Sequence, residues 1–256
     1  MHPRLFFPTL LLLLAFLPLE AQEPIIYRLD LSNIDQHELK ITVEFTSLNP
    51  QEILNIRMSQ ASPGRYALHN FAKNVYDTYA YGHSGEVLDL YRSDENEWQV
   101  TGHEGYVRFQ YTLFGNHADG TYTGINNRMI HLNMPATFVY GVGLEKRSVE
   151  LFIDLNEYPE WTVATQLPTS GRGTFTAPDY YYFLDSPLIA GDLDHRSWQV
   201  IDGADTSTIE IAMLHEGSSE QLDEYTEWVK QIVAEQTEIF GSLPGFDYGR
   251  YTFLLS

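Results

Sequence analysis

The chain has 256 residues, 35 of them acidic and 15 basic, for a formal net charge of −20, and it has no cysteine. A surface of that sign repels a phosphate backbone and an anionic bilayer, so nucleic acid is excluded as a partner. Without cysteine there are no disulfides, thiolate metal sites, cysteine nucleophiles or lipid-modified N-terminal cysteine.

Met1-His2-Pro3-Arg4 is a short positive n-region, Leu5 to Leu19 is an apolar h-region, and Ala21 offers a small residue before a cut ahead of Gln22. About fifteen apolar residues, interrupted by Pro8 and Pro18, fall short of the ~20 that span a bilayer. Residues 1–21 are therefore expected to be a cleaved signal peptide, leaving no stable membrane anchor. An exported, acidic, disulfide-free chain suits a bacterial periplasm or the extracellular side.

Residues 25–200 read as an antiparallel β domain. In "HELKITVEF" (His37–Phe45), Leu39, Ile41, Val43 and Phe45 share one face. "GYVRFQYTLFG" (Gly105–Gly115) alternates in the same way through Val107, Phe109, Tyr111 and Leu113, and "SVELFIDL" (Ser148–Leu155) is a third such run. Turn signals recur between them, among them Ser62-Pro63-Gly64, Asp119-Gly120 and Ser170-Gly171. After the first of these, Tyr66 is expected to return to the sheet. Short alternating strands with such punctuation predict a β-sandwich.

Residues 201–256 change character. "STIEIAMLH" (Ser207–His215) is one more strand, and Ser218 with Gln221 makes a capping box for a long helix. Leu222, Tyr225, Trp228, Val229, Ile232, Val233, Ile239 and Phe240 form its apolar stripe, and Gly241 supplies the stop. "LPGFDYGRYTFLLS" (Leu243–Ser256) then turns into a strand that reads as buried. The fold class is mainly β: a sandwich-like N-terminal domain followed by an incomplete α/β domain with one long helix.

Self-contained catalytic signatures fail. His103-Glu104 has Val107, and His215-Glu216 has Ser219, where H-E-x-x-H needs its second histidine. In "GHSGE", Glu86 stands where a nucleophile elbow needs glycine. Asp192, Asp194 and His195 offer three metal-ligating side chains in four residues, or simply a polar loop. His117 and Asp119 fit a hard-cation site or an Asx-capped turn equally well. "DYYYF" (Asp179–Phe183) reads as a sugar-stacking platform or as tyrosines divided between core and surface.

Four blocks together resemble the glycyl-aminopeptidase-type zinc metallopeptidases, a thermolysin-like family that often carries a PDZ domain. They are "MSQASPGRYALHNFAKNVYDTYA" (Met58–Ala80), "MPATFVYGVGLEKRSVELFIDLNEYPEWTVATQL" (Met134–Leu167), "FTAPDYYYFLDSPLIAGDL" (Phe175–Leu193) and "IFGSLPGFDYGRYTFLLS". The usual aromatic two before S-P-G is absent; Gln60 and Ala61 stand there. The resemblance implies an N-terminal β domain and the start of a thermolysin-like catalytic domain. It also implies Zn²⁺ in the complete protein, a peptide substrate cut from its N-terminus, and further C-terminal catalytic and PDZ domains. The zinc motif is absent from this chain, so no catalytic or metal residue carries over. Asn133 and Tyr140, in "HLNMPATFVY" (His131–Tyr140), are the substrate-binding candidates, with core packing as the competing account. The alternative is a stand-alone, non-catalytic β-sandwich that binds peptide or glycan.

Overall fold

The computed structural model describes residues 22–203 and 205–256, with Asp202 described for its backbone alone. The expected signal peptide at 1–21 lies outside the described residues. Among those described, no helix is long and apolar enough to cross a membrane.

Period-two alternation sets the main architecture. Glu38–Phe45 pairs antiparallel with Val107–Phe114 in the register Leu39–Leu113, Ile41–Tyr111, Val43–Phe109 and Phe45–Val107. All eight side chains are buried. These strands sit inside a seven-stranded sheet ordered Thr169–Gly171, Thr174–Ala177, Val149–Ile153, Ile25–Asp30, Glu38–Phe45, Val107–Phe114, Val75–Tyr81. One of its pairings is parallel, Ile25–Asp30 with Val149–Ile153. A four-stranded sheet (Val139–Gly141, Leu54–Met58, Glu97–Thr101, Asp89–Asp94) shares one core with it. Trp98 of this sheet packs on Phe109 of the first at 5.8 Å between ring centroids.

Two buried phenols tie the sandwich to the segment 137–139. Tyr27 Oη donates to Val139 O at 2.8 Å and Tyr111 Oη donates to Thr137 O at 2.7 Å. Burial pushes both phenols well above the ordinary tyrosine range. Arg147 is buried as well, with Nε donating to Glu23 O at 2.7 Å and Nη1 to Thr46 O at 2.8 Å. A further four-stranded sheet (Thr162–Thr165, Leu188–Gly191, Met129–Leu132, Gly124–Ile125) completes the β domain.

The C-terminal region is a β-α-β unit. Asp194–Asp202 and Asp205–Met213 form a hairpin paired along all its residues. A division at 200/201 would cut that hairpin; the change of sheet falls between Gly191 and Asp194. The helix Ser219–Phe240 begins with the capping box expected at Ser218 and Gln221 and ends at Gly241, whose φ of 82° is left-handed. Arg250–Leu255 then returns parallel to Asp205–Met213. A parallel return requires a crossover, and the helix supplies it.

Here the structure corrects one expectation. The last strand is half-buried rather than buried, because it pairs on one side only. The helix buries Leu222, Thr226 and Val229, while Trp228, Ile232, Ile239 and Phe240 stay exposed. The stripe is wider than three strands can cover. Arg196 Nε meets Asp223 Oδ1 at 2.6 Å, and Lys230 Nζ lies 5.8 Å over Trp198, which turns that side of the helix toward Asp194–Asp202. The uncovered flank faces the free edge of Arg250–Leu255. There a groove of about 680 Å³ is lined by Ile232, Val233, Phe240, Pro244, Tyr251 and Phe253, among others.

Candidate functional site

Three segments meet at one end of the sandwich: the S-P-G loop, the loop 116–123, and the stretch 131–140. Arg65 N–H donates to Ser62 O at 3.0 Å, with Pro63 and Gly64 between them and Gly64 at φ 73°. That is a type II turn, in which proline pre-sets the first central residue and glycine admits the second. Tyr66 does not return to the sheet. It is fully exposed, as is most of Leu68, because the chain leads into the 3-10 turn Phe71–Asn74, where Phe71 and Ala72 take the buried places.

Asn133 is buried in front of the short helix Met134–Thr137. Its amide donates to Ser62 Oγ at 3.3 Å and to Thr121 O, and its backbone carbonyl accepts from Thr137 Oγ1 at 2.8 Å. Thr137 Oγ1 is 2.7 Å from Thr123 Oγ1. Both amide protons of Asn133 are thereby engaged. The side chain ties the S-P-G loop, 71 residues away in sequence, to the 116–123 loop.

Tyr140 is different. It pairs with Arg57 across the second sheet, stacks on Tyr180 at 4.7 Å between centroids, and keeps part of its surface open. It lines a polar cavity of about 350 Å³ with Arg57, Ser59, Gln60, Asn96 and Glu97, among others. Arg57 Nε donates to Glu97 Oε2 at 3.0 Å, and Ser93 Oγ donates to Glu97 Oε1 at 2.8 Å. These bonds, Arg57 first, hold the Glu97 carboxyl below the usual range. A carboxylate so neutralised orients a polar group but is a poor proton acceptor. Asn133 and Tyr140 thus lie at opposite ends of the segment 58–62, one as an internal tie and one on an open wall.

The 116–123 loop and the start of the 131–140 stretch carry the histidines. His117 Nε2 lies 3.2 Å from Asp119 Oδ2, while Asp119 Oδ1 accepts from the N–H groups of Thr121 at 2.8 Å and Tyr122 at 3.0 Å. Burial pushes the Asp119 carboxyl up, but the Tyr122 and Thr121 N–H groups, with His117 and Arg65, outweigh it and hold it low. Burial holds the neighbouring His131 imidazole below its usual range, against the pull of Asp119, and its Nδ1 has no hydrogen-bond partner.

The sequence matches the family model of the peptidase M61 N-terminal domain over residues 26–192, more than half of the chain. The chain belongs to this family. No curated protein matches it. Among solved structures, an aminopeptidase N family protein from Idiomarina loihiensis superposes with a TM-score of 0.75 at 20% identity, over 90% of this chain and 39% of that one. At that identity the likeness is one of fold. An M1 zinc metallopeptidase from Deinococcus radiodurans aligns at 14% identity over 91% of this chain and 56% of that one, with a TM-score of 0.45, too loose to build on. The M61 chain spans about two fifths of the first relative's length and little more than half of the second's.

The remaining sequence candidates in the M61 chain do not converge. Asp194 and His195 are adjacent on a strand and point to opposite faces. His195 Nδ1 meets Glu210 Oε1 at 2.9 Å and its Nε2 meets Thr162 Oγ1 at 2.8 Å. His215 Nε2 is 3.1 Å from Asp194 Oδ2, within ion-pair reach but outside hydrogen-bond geometry. Among the described residues no three His, Asp or Glu side chains gather as a metal site would need, so these residues do not fit a zinc ion. The "DYYYF" run is the helix Tyr180–Leu184, capped by Asp179, and it points Tyr180 inward and Tyr181 outward. Successive tyrosines on a helix diverge by about 100°, so no flat platform forms. Sequence reasoning missed the Arg57–Glu97 pair and Arg147. Only the first carried a signal, a charge at an outward position of a strand that otherwise alternates.

Proposed function

We propose that this M61 chain is the N-terminal portion of an exported zinc-dependent aminopeptidase: the β domain and the opening of a thermolysin-like catalytic domain, with the zinc centre outside residues 1–256. The family match carries the peptidase part of this reading. Two observations support a second domain that continues beyond the described strands. The strand–helix–strand unit leaves one strand edge unpaired and an apolar helix flank open on the same side. The M61 chain also spans 39% of the longer protein whose fold it shares. Such an edge and flank are the seat a continuing sheet would need. In this reading the described residues supply no reacting group. The polar wall at Tyr140, Arg57 and Glu97 holds the free end of a peptide, and Asn133 fixes the loop that borders it.

The test compares the complete gene product with residues 22–256 for zinc content and for hydrolysis of aminoacyl-4-nitroanilides. The complete product is expected to hold one zinc and to release nitroaniline in a chelator-sensitive manner, and the shorter chain to do neither. A complete product without zinc or amidase activity overturns the reading in favour of a non-catalytic module.

A further inference from the structure

The outer face of the seven-stranded sheet carries a groove of about 860 Å³. It runs from Thr174 past Phe152, Arg28, Lys40 and Gln110 to Tyr79, over six strands of the sheet order. At ~4.8 Å between neighbouring strands that is roughly 24 Å, longer than a single small metabolite needs.

The wall of this groove differs in charge from the rest of the molecule. The chain has 35 acidic residues to 15 basic ones. The groove has three of each: Arg28, Lys40 and Arg172 against Asp30, Asp77 and Asp154. A balanced wall in a strongly acidic body gives no net attraction to a polyanion and none to a polycation. Extended peptides favour an exposed strand edge, where the backbone is unpaired. This groove lies on a face whose central strands are paired on both sides.

What the wall does offer is hydrogen-bonding groups of both senses. Gln110 Nε2 donates to Thr42 Oγ1 at 3.3 Å, which leaves the Gln110 amide oxygen open. The Lys40 and Asp77 side chains are exposed and make no hydrogen bond or ion pair with the described residues. A bulge between Tyr76 and Tyr79, with Asp77 at φ 50°, re-aims the edge strand here. It leaves Tyr79 half exposed and packed beside Tyr81, with centroids 6.3 Å apart and planes 29° from parallel. An aromatic shelf at the end of a row of mixed donors and acceptors matches a chain of sugar rings, whose hydroxyls both donate and accept and whose C–H faces stack on aromatics.

We infer that this face binds a neutral polysaccharide. The inference is independent of the peptidase reading, since none of these residues borders the Tyr140 wall.

The test is native affinity electrophoresis in gels containing, separately, a soluble β-glucan, a xylan, a galactomannan, carboxymethylcellulose and casein. The chain is expected to be retarded by at least one neutral polysaccharide, with no loss at high salt. Tyr79→Ala is expected to weaken that retardation about tenfold. Lys40→Ala weakens it less, and Val87→Ser, at an exposed site outside the groove lining, leaves it unchanged. Tyr79 and Lys40 are exposed, so neither variant threatens folding, and thermal unfolding verifies this. Three results overturn the inference: no retardation in any neutral gel, retardation by carboxymethylcellulose or casein alone, or retardation that Tyr79→Ala and Lys40→Ala leave intact.

Discussion

Trp98 in the β domain is 1% exposed and Trp228 on the long helix is 54% exposed, and the same contrast runs through both regions. The β domain closes two sheets over one core and ties their ends with buried phenols and a buried guanidinium. The C-terminal unit lays a 22-residue helix on three strands and leaves half of its apolar stripe in water. A sandwich supplies its own second layer, whereas a helix on a narrow sheet has one flank that only a further strand or partner can cover. Local order in the C-terminal unit therefore comes from caps and strand pairing more than from a closed interior.

The sharpest way to break that contrast is a pair of tryptophan substitutions. Trp98→Ala is expected to cost ~4 kcal/mol, from lost burial plus the cavity it leaves against Phe109. Trp228→Ala is expected to change stability by less than ~0.5 kcal/mol. Urea unfolding followed by circular dichroism measures both, and similar costs would show that the helix flank is covered after all. A smaller effect sharpens the account of the candidate site. Asn133→Ala removes both amide donors from Ser62 and Thr121 and is expected to cost ~2 kcal/mol. Tyr140→Phe keeps the stack on Tyr180 and is expected to cost under ~0.5 kcal/mol. Equal costs would remove the distinction between internal tie and open wall.

The sequence made visible what local chemistry determines. Period-two alternation placed Leu39, Ile41, Val43 and Phe45 inward, and the Ser218–Gln221 box and Gly241 bounded the helix, because each depends on neighbours within a few residues. Sheet order was not legible. Alternation says which face is buried but not which strand lies alongside, so the parallel pairing of Ile25–Asp30 with Val149–Ile153 left no trace. The helix stripe was legible as apolar but its coverage was not, since coverage depends on a sheet width that the stripe does not encode. Tyr66 misled for a related reason: the turn at Pro63 and Gly64 fixes a reversal but not its destination. At the site, Asn133 was singled out for its side chain, yet its partner Ser62 is 71 residues away and nothing local announces it.

The joint between the two regions gives a smaller effect with a definite sign. His195, first, and then Thr252 and Arg250 hold the Glu210 carboxyl below 4.5, against burial. A depressed folded pKa means a contribution present above about pH 4.5 and lost as pH falls through the folded value, when the carboxylate must take up a proton. Thermal unfolding between pH 7 and pH 3 should therefore show wild type losing more stability below about pH 4.5 than Glu210→Gln, whose side chain does not titrate. Parallel curves for the two proteins would mean that the His195–Glu210 contact is not formed in solution.

The smallest effect on stability should accompany a visible effect on association. Phe240 is 77% exposed at the mouth of the apolar groove, beside the unpaired edge of Arg250–Leu255. Water contact at that groove and an open ladder of backbone donors and acceptors favour self-association at raised concentration. Phe240→Glu places a charge at the mouth and removes no buried contact, so unfolding should shift by less than ~0.5 kcal/mol. In sedimentation velocity at increasing concentration, residues 22–256 should show a growing faster-moving species that the Glu variant lacks. Trp98→Ser cannot serve in its place, because it would unfold the sandwich and expose a different surface. If both proteins sediment as monomers throughout, the exposed flank is inert, and the open edge ceases to support the proposed continuation of the sheet.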